Sequence, residues 1–383
     1  MTLDHTTVSG DESPPVCRRG RRLARRSLVA TSAIVSVALL AMVPVPGSEP
    51  ADDGALNAAI LSEPRTDERP HHFLLDPELA PLRADRSGSS GDFETASAPF
   101  DVALDGHTLE YEVMAVTVLP GVAVDVSVPG PEGPGGYGLR FAEGELLETT
   151  VDGWRWRAPT EPGISALRVE AEGSTDVVHV NVMVLHPREH VTDDRLHGYR
   201  IGRYQERPLR GDPAYIAPEG FVEVPAEAED VLVSPHFTVG QFLSKQPGDP
   251  RFLALSMPLV RKLEAILARA NQSGIETPTF HVMSGFRTPW YNASIGNKTI
   301  YSRHLWGDAA DIFVDVDGNH DMDDLNGDGR ADAGDARLLA DLVEEVESSG
   351  RPEIVAGGIG LYRRAAHRGP FVHVDARGHA ARW

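Results

Sequence analysis

Two histidines and one aspartate, His304, Asp311 and His373, are the side chains whose types and spacing point most directly to chemistry. His304 and Asp311 stand seven residues apart, with the small residues Gly307, Ala309 and Ala310 between them. Asp311 opens the apolar run Ile312 to Val314, so the stretch reads as a loop feeding a buried strand with a polar donor at each end. Near the C-terminus, Phe371 to Asp375 reads as a second strand, and a period of two puts His373 on one face with Phe371 and Asp375. Two imidazoles and a carboxylate that meet in this way form the donor set of a catalytic zinc site, with the fourth position left for water. Such a site makes hydroxide available near neutral pH. Taken singly, each residue also fits an ordinary half-buried histidine or a capping or ion-paired carboxylate. The pattern as a whole carries the metal reading.

That pattern is Ser-x-His-x-x-Gly-x-Ala-x-Asp from Ser302 to Asp311, Gly-x-Gly-x-Tyr from Gly358 to Tyr362, and Phe-Val-His-Val-Asp from Phe371 to Asp375. Over roughly Ser234 to Trp383 it resembles the zinc D-Ala-D-Ala carboxypeptidase family of peptidoglycan peptidases, most closely the murein endopeptidase (MepK-type) branch. The closing Ala381-Arg382-Trp383 also looks like that branch. The resemblance implies zinc on His304, Asp311 and His373, with Arg287 of Ser-Gly-Phe-Arg near the substrate or the water. Ser284, Tyr291, Ser302 and Tyr362 lie in or beside the same motifs and are expected to bind substrate. The implied activity is hydrolysis of peptide bonds in peptidoglycan stem peptides or cross-links, as a murein endopeptidase or D,D-carboxypeptidase. Peptidoglycan is then the partner.

The chain departs from that family at one place. Many of its members carry an acidic general base three residues before the last zinc histidine, where this chain has Pro370; enzymes with a paired His-x-His have a histidine two residues before it, where this chain has Phe371. Asp375, on the same strand face as His373, is the candidate base, and its alternative role is an acceptor that orients a ligand or an arginine. A non-catalytic peptidoglycan-binding or scaffold protein with a peptidase-like fold is the alternative function. A hedgehog-like signalling domain with similar metal geometry is a third.

The elements that must hold these residues are legible nearby. Ser256 is placed to cap a helix with Pro258 in its first turn, and Leu259, Leu263, Ile266, Leu267 and Ala270 recur at helical spacing before Gly274. Between the first metal strand and the next helix, residues 315–335 insert DVDGNHDMDDLNGDGRADAGD. Asp324, Asn326, Asp328, Gly329, the Arg330 carbonyl, Asp332 and Asp335 fall on positions 1, 3, 5, 6, 7, 9 and 12 of a calcium loop, with Gly329 at the sharp turn. Asp335 replaces the usual Glu, as in dockerin-like loops. Asp315, Asp317, Asn319, Asp321 and Asp323 just upstream are spaced to hold another ion, without the matching glycine. Leu338, Leu339, Leu342, Val343 and Val346 then make one apolar face of a helix ending at Gly350, and calcium is expected to steady its start.

With 383 residues, 41% hydrophobic and 24% charged, the chain accommodates two modest domains and a tail. A net charge of −21 excludes a nucleic-acid partner, which needs a basic surface to release counterions. Cys17 is the single cysteine, so no intramolecular disulfide forms. The basic tail 1–26 precedes an uncharged apolar run at 27–43, SLVATSAIVSVALLAMV, at the short end of what spans a bilayer. The arginines before it predict that everything after Pro44 lies outside the cytoplasm, in the cell envelope on the periplasmic side of the inner membrane. The segment reads as an anchor, with a cleaved signal peptide as the alternative. Residues 44–91, rich in Pro, Asp, Ser and Gly, read as a flexible linker. Residues 92–187 carry short alternating runs punctuated by Pro-Gly pairs and read as a β-sandwich resembling bacterial immunoglobulin-like domains. Trp154 and Trp156 share one face there, either stacking on glycan or plugging the sandwich. Residues 188–230 read as an ordered connector, and 231–383 as an α+β zinc peptidase domain, an antiparallel sheet with packed helices.

Overall fold

Alternating apolar and polar residues in the first half of the chain fold into short strands because each buries every second side chain in a shared core. The computed structural model describes residues 72–85, 96–129 and 136–383, all within one compact unit. The apolar run 27–43 and Cys17 lie outside the described residues. Among those described, no helix is long and apolar enough to cross a membrane. The fold is mixed α/β and mostly sheet, with four α-helices among the described residues.

In chain order the first ten strands are β1 (His72–Leu75), β2 (Ala103–Leu104), β3 (His107–Thr108), β4 (Val113–Val118), β5 (Ala123–Ser127), β6 (Tyr137–Phe141), β7 (Glu145–Thr150), β8 (Gly153–Arg157), β9 (Gly163–Ala171) and β10 (Val177–Val184). They make two five-stranded sheets, β1-β6-β9-β10-β4 and β3-β2-β5-β8-β7, around one apolar core. Trp154 and Trp156 are each 1% exposed in that core, so they plug it and offer no stacking face. Each removes on the order of 200 Å² from water, an upper bound of about 5 kcal/mol. The expected linker 44–91 needs correcting at its C-terminal end. There β1 pairs in parallel with β6, Arg83 bridges Val231, and Asn181 Nδ2 donates to the carbonyls of Leu82 and Leu232 at 2.9 and 2.8 Å. Backbone groups in this stretch find partners on the sheet edge, and that order does not depend on burying much apolar surface of its own.

After β10 the chain runs through β11 (His186–Pro187), β12 (Arg195–Leu196), β13 (Tyr199–Arg200), β14 (Gly220–Val224), β15 (Leu232–Ser234), β16 (Phe237–Thr238) and β17 (Arg251–Leu253). Helix α1 (Val239–Phe242) lies between the last two, and α2 (Met257–Gln272) follows. Helix α2 has Ser256 at its N-cap and Pro258 in its first turn, and buries Leu259, Leu263, Ile266, Leu267 and Ala270. Then come β18 (His281–Ser284), α3 (Pro289–Ser294), β19 (Ala309–Phe313), α4 (Ala333–Glu347), β20 (Gly358–Tyr362), β21 (Phe371–Asp375) and β22 (Ala381–Arg382). Their sheet has the order β18-β19-β21-β20-β22, antiparallel except for the β20–β22 pair. Helices α2 and α4 share its core, which also takes in Ala115, Met183 and Leu185 from the first module.

Candidate metal centre

One row across the C-terminal sheet builds the centre. Ser284 pairs with Asp311, Asp311 with His373, and His373 with Gly360, so four adjacent strands present their residues at one level. Directly opposed side chains on antiparallel strands stand close enough to share a ligand. His304 comes from outside the sheet, on the 3-10 turn Arg303–Trp306. Gly307 ends that turn at φ +70°, where a Cβ would fall 1.9 Å from the Ala254 carbonyl oxygen. Only glycine fits there.

His304 Nε2 lies 3.3 Å from Asp311 Oδ1, and His373 Nδ1 lies 2.8 Å from the same oxygen. The three residues are buried, and their donor atoms lie within 4.8 Å of one another, a grouping that can hold a metal ion. Each of the three side chains is also gripped from behind. His304 Nδ1 contacts the Gly285 carbonyl at 2.7 Å, Arg287 Nη2 donates to Asp311 Oδ2 at 3.0 Å, and His373 Nε2 faces Asp375 Oδ2 at 3.2 Å. Partners of this kind fix the ring orientation of a ligand and raise its basicity. Burial holds the His304 imidazole below its ordinary pKa, against the opposing pull of Asp311. Burial would likewise lower His373, but hydrogen bonds to Asp311 and Asp375 overcome it and push the ring up to about 9. For Asp311 burial works upward, and the two histidines outweigh it, holding the carboxyl well below the usual range.

The expected site residues divide. Arg287 does reach the centre, but as a brace: its Nε donates to Ser284 Oγ at 2.8 Å and its Nη2 to Asp311. Ser284 therefore acts through Arg287. Tyr362 stacks on Phe371 at 4.5 Å and receives a hydrogen bond from Trp383 Nε1 at 2.9 Å, while the Trp383 ring lies 5.2 Å from that of His373. Ser302 stands at the start of the turn that carries His304, and Tyr291 is half-buried on α3; the hydrogen bonds of the centre do not extend to either side chain. Asp375 is not placed to be a general base. It is 0% exposed, behind His373, and accepts from the Gly358 N–H at 2.8 Å and from Arg377 Nε at 2.9 and 3.0 Å. Burial pushes its carboxyl up, but hydrogen bonds with His373, then Arg377 and the Gly358 N–H, outweigh it and hold the carboxyl far below the ordinary range. The geometry gives Asp375 the orienting role.

The connector contributes what the motif does not. Tyr204 donates to the Leu305 carbonyl at 2.7 Å, Trp306 Nε1 to that of Ile216 at 2.8 Å, and Tyr301 to that of Arg207 at 3.0 Å. Arg303 pairs with buried Asp308 and lies 4.5 Å over the Tyr215 ring. These contacts clamp the His304 turn. The aromatic residues of 199–215 are the only sequence signal that they exist.

In the acidic insert, carboxylates face backbone amides. Asp324 accepts from the N–H groups of Gly327, Asp328 and Gly329, Asn326 from that of Asp328, and Asp328 from that of Arg330. Asp332 caps α4, and Asp335 closes the capping box while accepting from Leu325 and Asn326. The groupings able to hold an ion lie just upstream, at Asp315, Asp317 and Asp323 and at His281, Asp315 and His320. No protein-family model matches this chain, and no curated protein matches it in sequence.

Proposed function

We propose that this chain is a zinc-dependent hydrolase of peptide bonds in peptidoglycan stem peptides or cross-links, a murein endopeptidase or D,D-carboxypeptidase acting in cell-wall remodelling. The observation that carries the reading is the convergence of His304 Nε2 and His373 Nδ1 on one oxygen of Asp311. Zinc–ligand bonds of about 2.0–2.1 Å in tetrahedral geometry set donors about 3.3 Å apart, which the His304–Asp311 separation matches, while the His373–Asp311 separation, 2.8 Å, would open slightly around an ion. The resemblance of Ser302–Asp311 and Phe371–Asp375 to the zinc D-Ala-D-Ala carboxypeptidase family supplies the substrate class.

When bound, zinc supplies a Lewis acid and a hydroxide source near neutral pH. His304, Asp311 and His373 hold it. Arg287 keeps Asp311 turned to the metal, the Gly285 carbonyl and Asp375 fix the two rings, and Tyr362 and Trp383 wall the His373 side. The insert 315–335 belongs to the same reading as a structural calcium loop, with Asp324, Asn326, Asp328, the Arg330 carbonyl, Asp332 and Asp335 as its ligands. Asp332 and Asp335 cap α4, so an ion there would tie the helix to the strand leaving Asp311. We place the protein in the cell envelope, outside the cytoplasm, anchored to the membrane through 27–43, with the two-sheet module 96–187 as an immunoglobulin-like domain.

A non-catalytic peptidoglycan-binding role is the second reading, favoured by Pro370 and Phe371 at the base positions and by the burial of Asp375. Digestion of purified sacculi decides between them. Cross-links cleaved or D-Ala released by the zinc-loaded wild type and not by His304→Ala, read by mass on the muropeptides, support the hydrolase. Zinc-loaded protein that pellets with sacculi and leaves both cross-links and terminal D-Ala intact supports the second reading.

A further inference from the structure

A second constellation of the same donor type lies in the connector, remote in sequence from the first. His186 on β11, His197 in the β12–β13 turn and Glu223 on β14 bring their donor atoms within 4.8 Å of one another. His186 Nε2 is 2.7 Å and His197 Nδ1 3.4 Å from the same oxygen, Oε2 of Glu223. One imidazole through Nε2, another through Nδ1, and one carboxylate oxygen shared between them repeat the arrangement at His304, His373 and Asp311. We propose that His186, His197 and Glu223 form a second transition-metal site, which staples the strand leaving the two-sheet module to the C-terminal sheet's supporting strands.

Three observations carry this. The His186 side chain is 8% exposed, yet its Nε2 makes no aligned hydrogen bond; the nitrogen and the Glu223 oxygen crowd together off the hydrogen-bonding axis, as two ligands of one ion do. His197 and Gly198 form the two-residue turn of the β12–β13 hairpin, with φ +46° and +86°. Asn-Gly is what such a turn favours; histidine also tolerates positive φ, and here the turn aims its imidazole at Glu223. Phe252, opposite Glu223 on β17, meets both imidazoles edge-on at 5.5 and 5.9 Å and locks their rings. The outer side, with His197 55% and Glu223 31% exposed, leaves a coordination position open to solvent. Two histidines and a glutamate suit zinc and other borderline divalent ions.

The site is independent of the proposed activity, and one experiment separates the two. The full chain is produced with zinc, purified without chelator, and its zinc per folded chain is measured for the wild type and four variants. These are His197→Asn, which keeps the turn's backbone, Glu223→Gln, His304→Ala, and the double variant His197→Asn/His304→Ala. The expected content is about two zinc ions in the wild type, about one in each single variant and almost none in the double. A zinc-selective chelator, with calcium held constant, should lower the thermal midpoint of His304→Ala and leave that of the double variant unchanged. Equal zinc in the wild type and in His197→Asn overturns the site and reduces the cluster to an ion pair. A single zinc that survives His304→Ala but not His197→Asn supports this site while removing the metal from the proposed active centre.

Discussion

Asp375→Asn tests the architecture of the metal centre without touching a ligand. The carboxylate is fully buried and faces His373 Nε2 at 3.2 Å, the Gly358 N–H at 2.8 Å and Arg377 Nε at 2.9 and 3.0 Å. Asparagine has nearly the same shape but one acceptor oxygen and an NH2 group, so whichever way the amide turns, a donor meets a donor. If the oxygen stays with Gly358 and Arg377, His373 Nε2 loses its acceptor and the ring is freed to rotate away from Asp311. A hydrogen bond to a charged partner is worth about 1.5–3 kcal/mol, and loss of an outer-shell carboxylate costs about 10–100-fold in metal affinity. At about 1.4 kcal/mol per tenfold the two ranges nearly coincide, and a loss of roughly 50-fold in zinc affinity, within both, is expected. Competition against a chromophoric chelator at fixed pH measures it, with urea unfolding to check that the variant is folded. Hydrolysis at saturating zinc adds the decisive control, since an orienting residue is rescued by excess metal and a general base is not. Zinc affinity within twofold of the wild type would refute the orienting role.

Two further perturbations follow from the structure. Gly307→Ala and Gly350→Ala both place a side chain at positive φ, which costs about 1–2 kcal/mol, but only at Gly307 does the new Cβ strike backbone. Gly307→Ala should therefore be destabilised by clearly more than Gly350→Ala in urea and should also lose zinc; equal midpoints would show that the turn yields freely. Millimolar calcium should raise the thermal midpoint of metal-stripped, zinc-reloaded protein, and Asp324→Ala with Asp328→Ala should abolish the rise while zinc content stays. An unchanged midpoint in the wild type returns 315–335 to an acidic surface loop.

The parts of the centre legible in the sequence are those set by local periodicity. A strand around Asp311 and an alternation that aligns His373 with Asp375 follow from side-chain patterning; the strand begins earlier, at Ala309, and Asp311 pairs with His373. The helix from Met257 follows equally from its spacing and Pro258. What the pattern does not contain is direction perpendicular to it. Asp375 shares a strand face with His373, which makes it a candidate base or an orienting acceptor, and Arg377 and the Gly358 amide draw the carboxylate behind the ring. Nor does local composition report partners far along the chain. The linker from 44 reads as unable to fold alone, and β1 is ordered because β6 offers it an edge.

The three candidate donors do not stand on equal footing. Asp311 and His373 are neighbours in one sheet, so their separation is set by strand pairing, and Lys262, itself buried, pins the end of β21 by donating to the Asp375 carbonyl at 2.7 Å. His304 has no such support, because a four-residue 3-10 turn makes too few hydrogen bonds to be rigid. It is held from two sides instead. Tyr204, Trp306 and Arg303 fasten the turn to the connector, while Arg287 receives the His304 carbonyl on its own N–H at 3.0 Å and extends its guanidinium to Asp311. Arg287 thus joins the turn to the sheet through one residue. Its side chain is spent on aligning the third ligand with the other two, which gives Ser-Gly-Phe-Arg a reason to sit beside the metal motif apart from any contact with substrate.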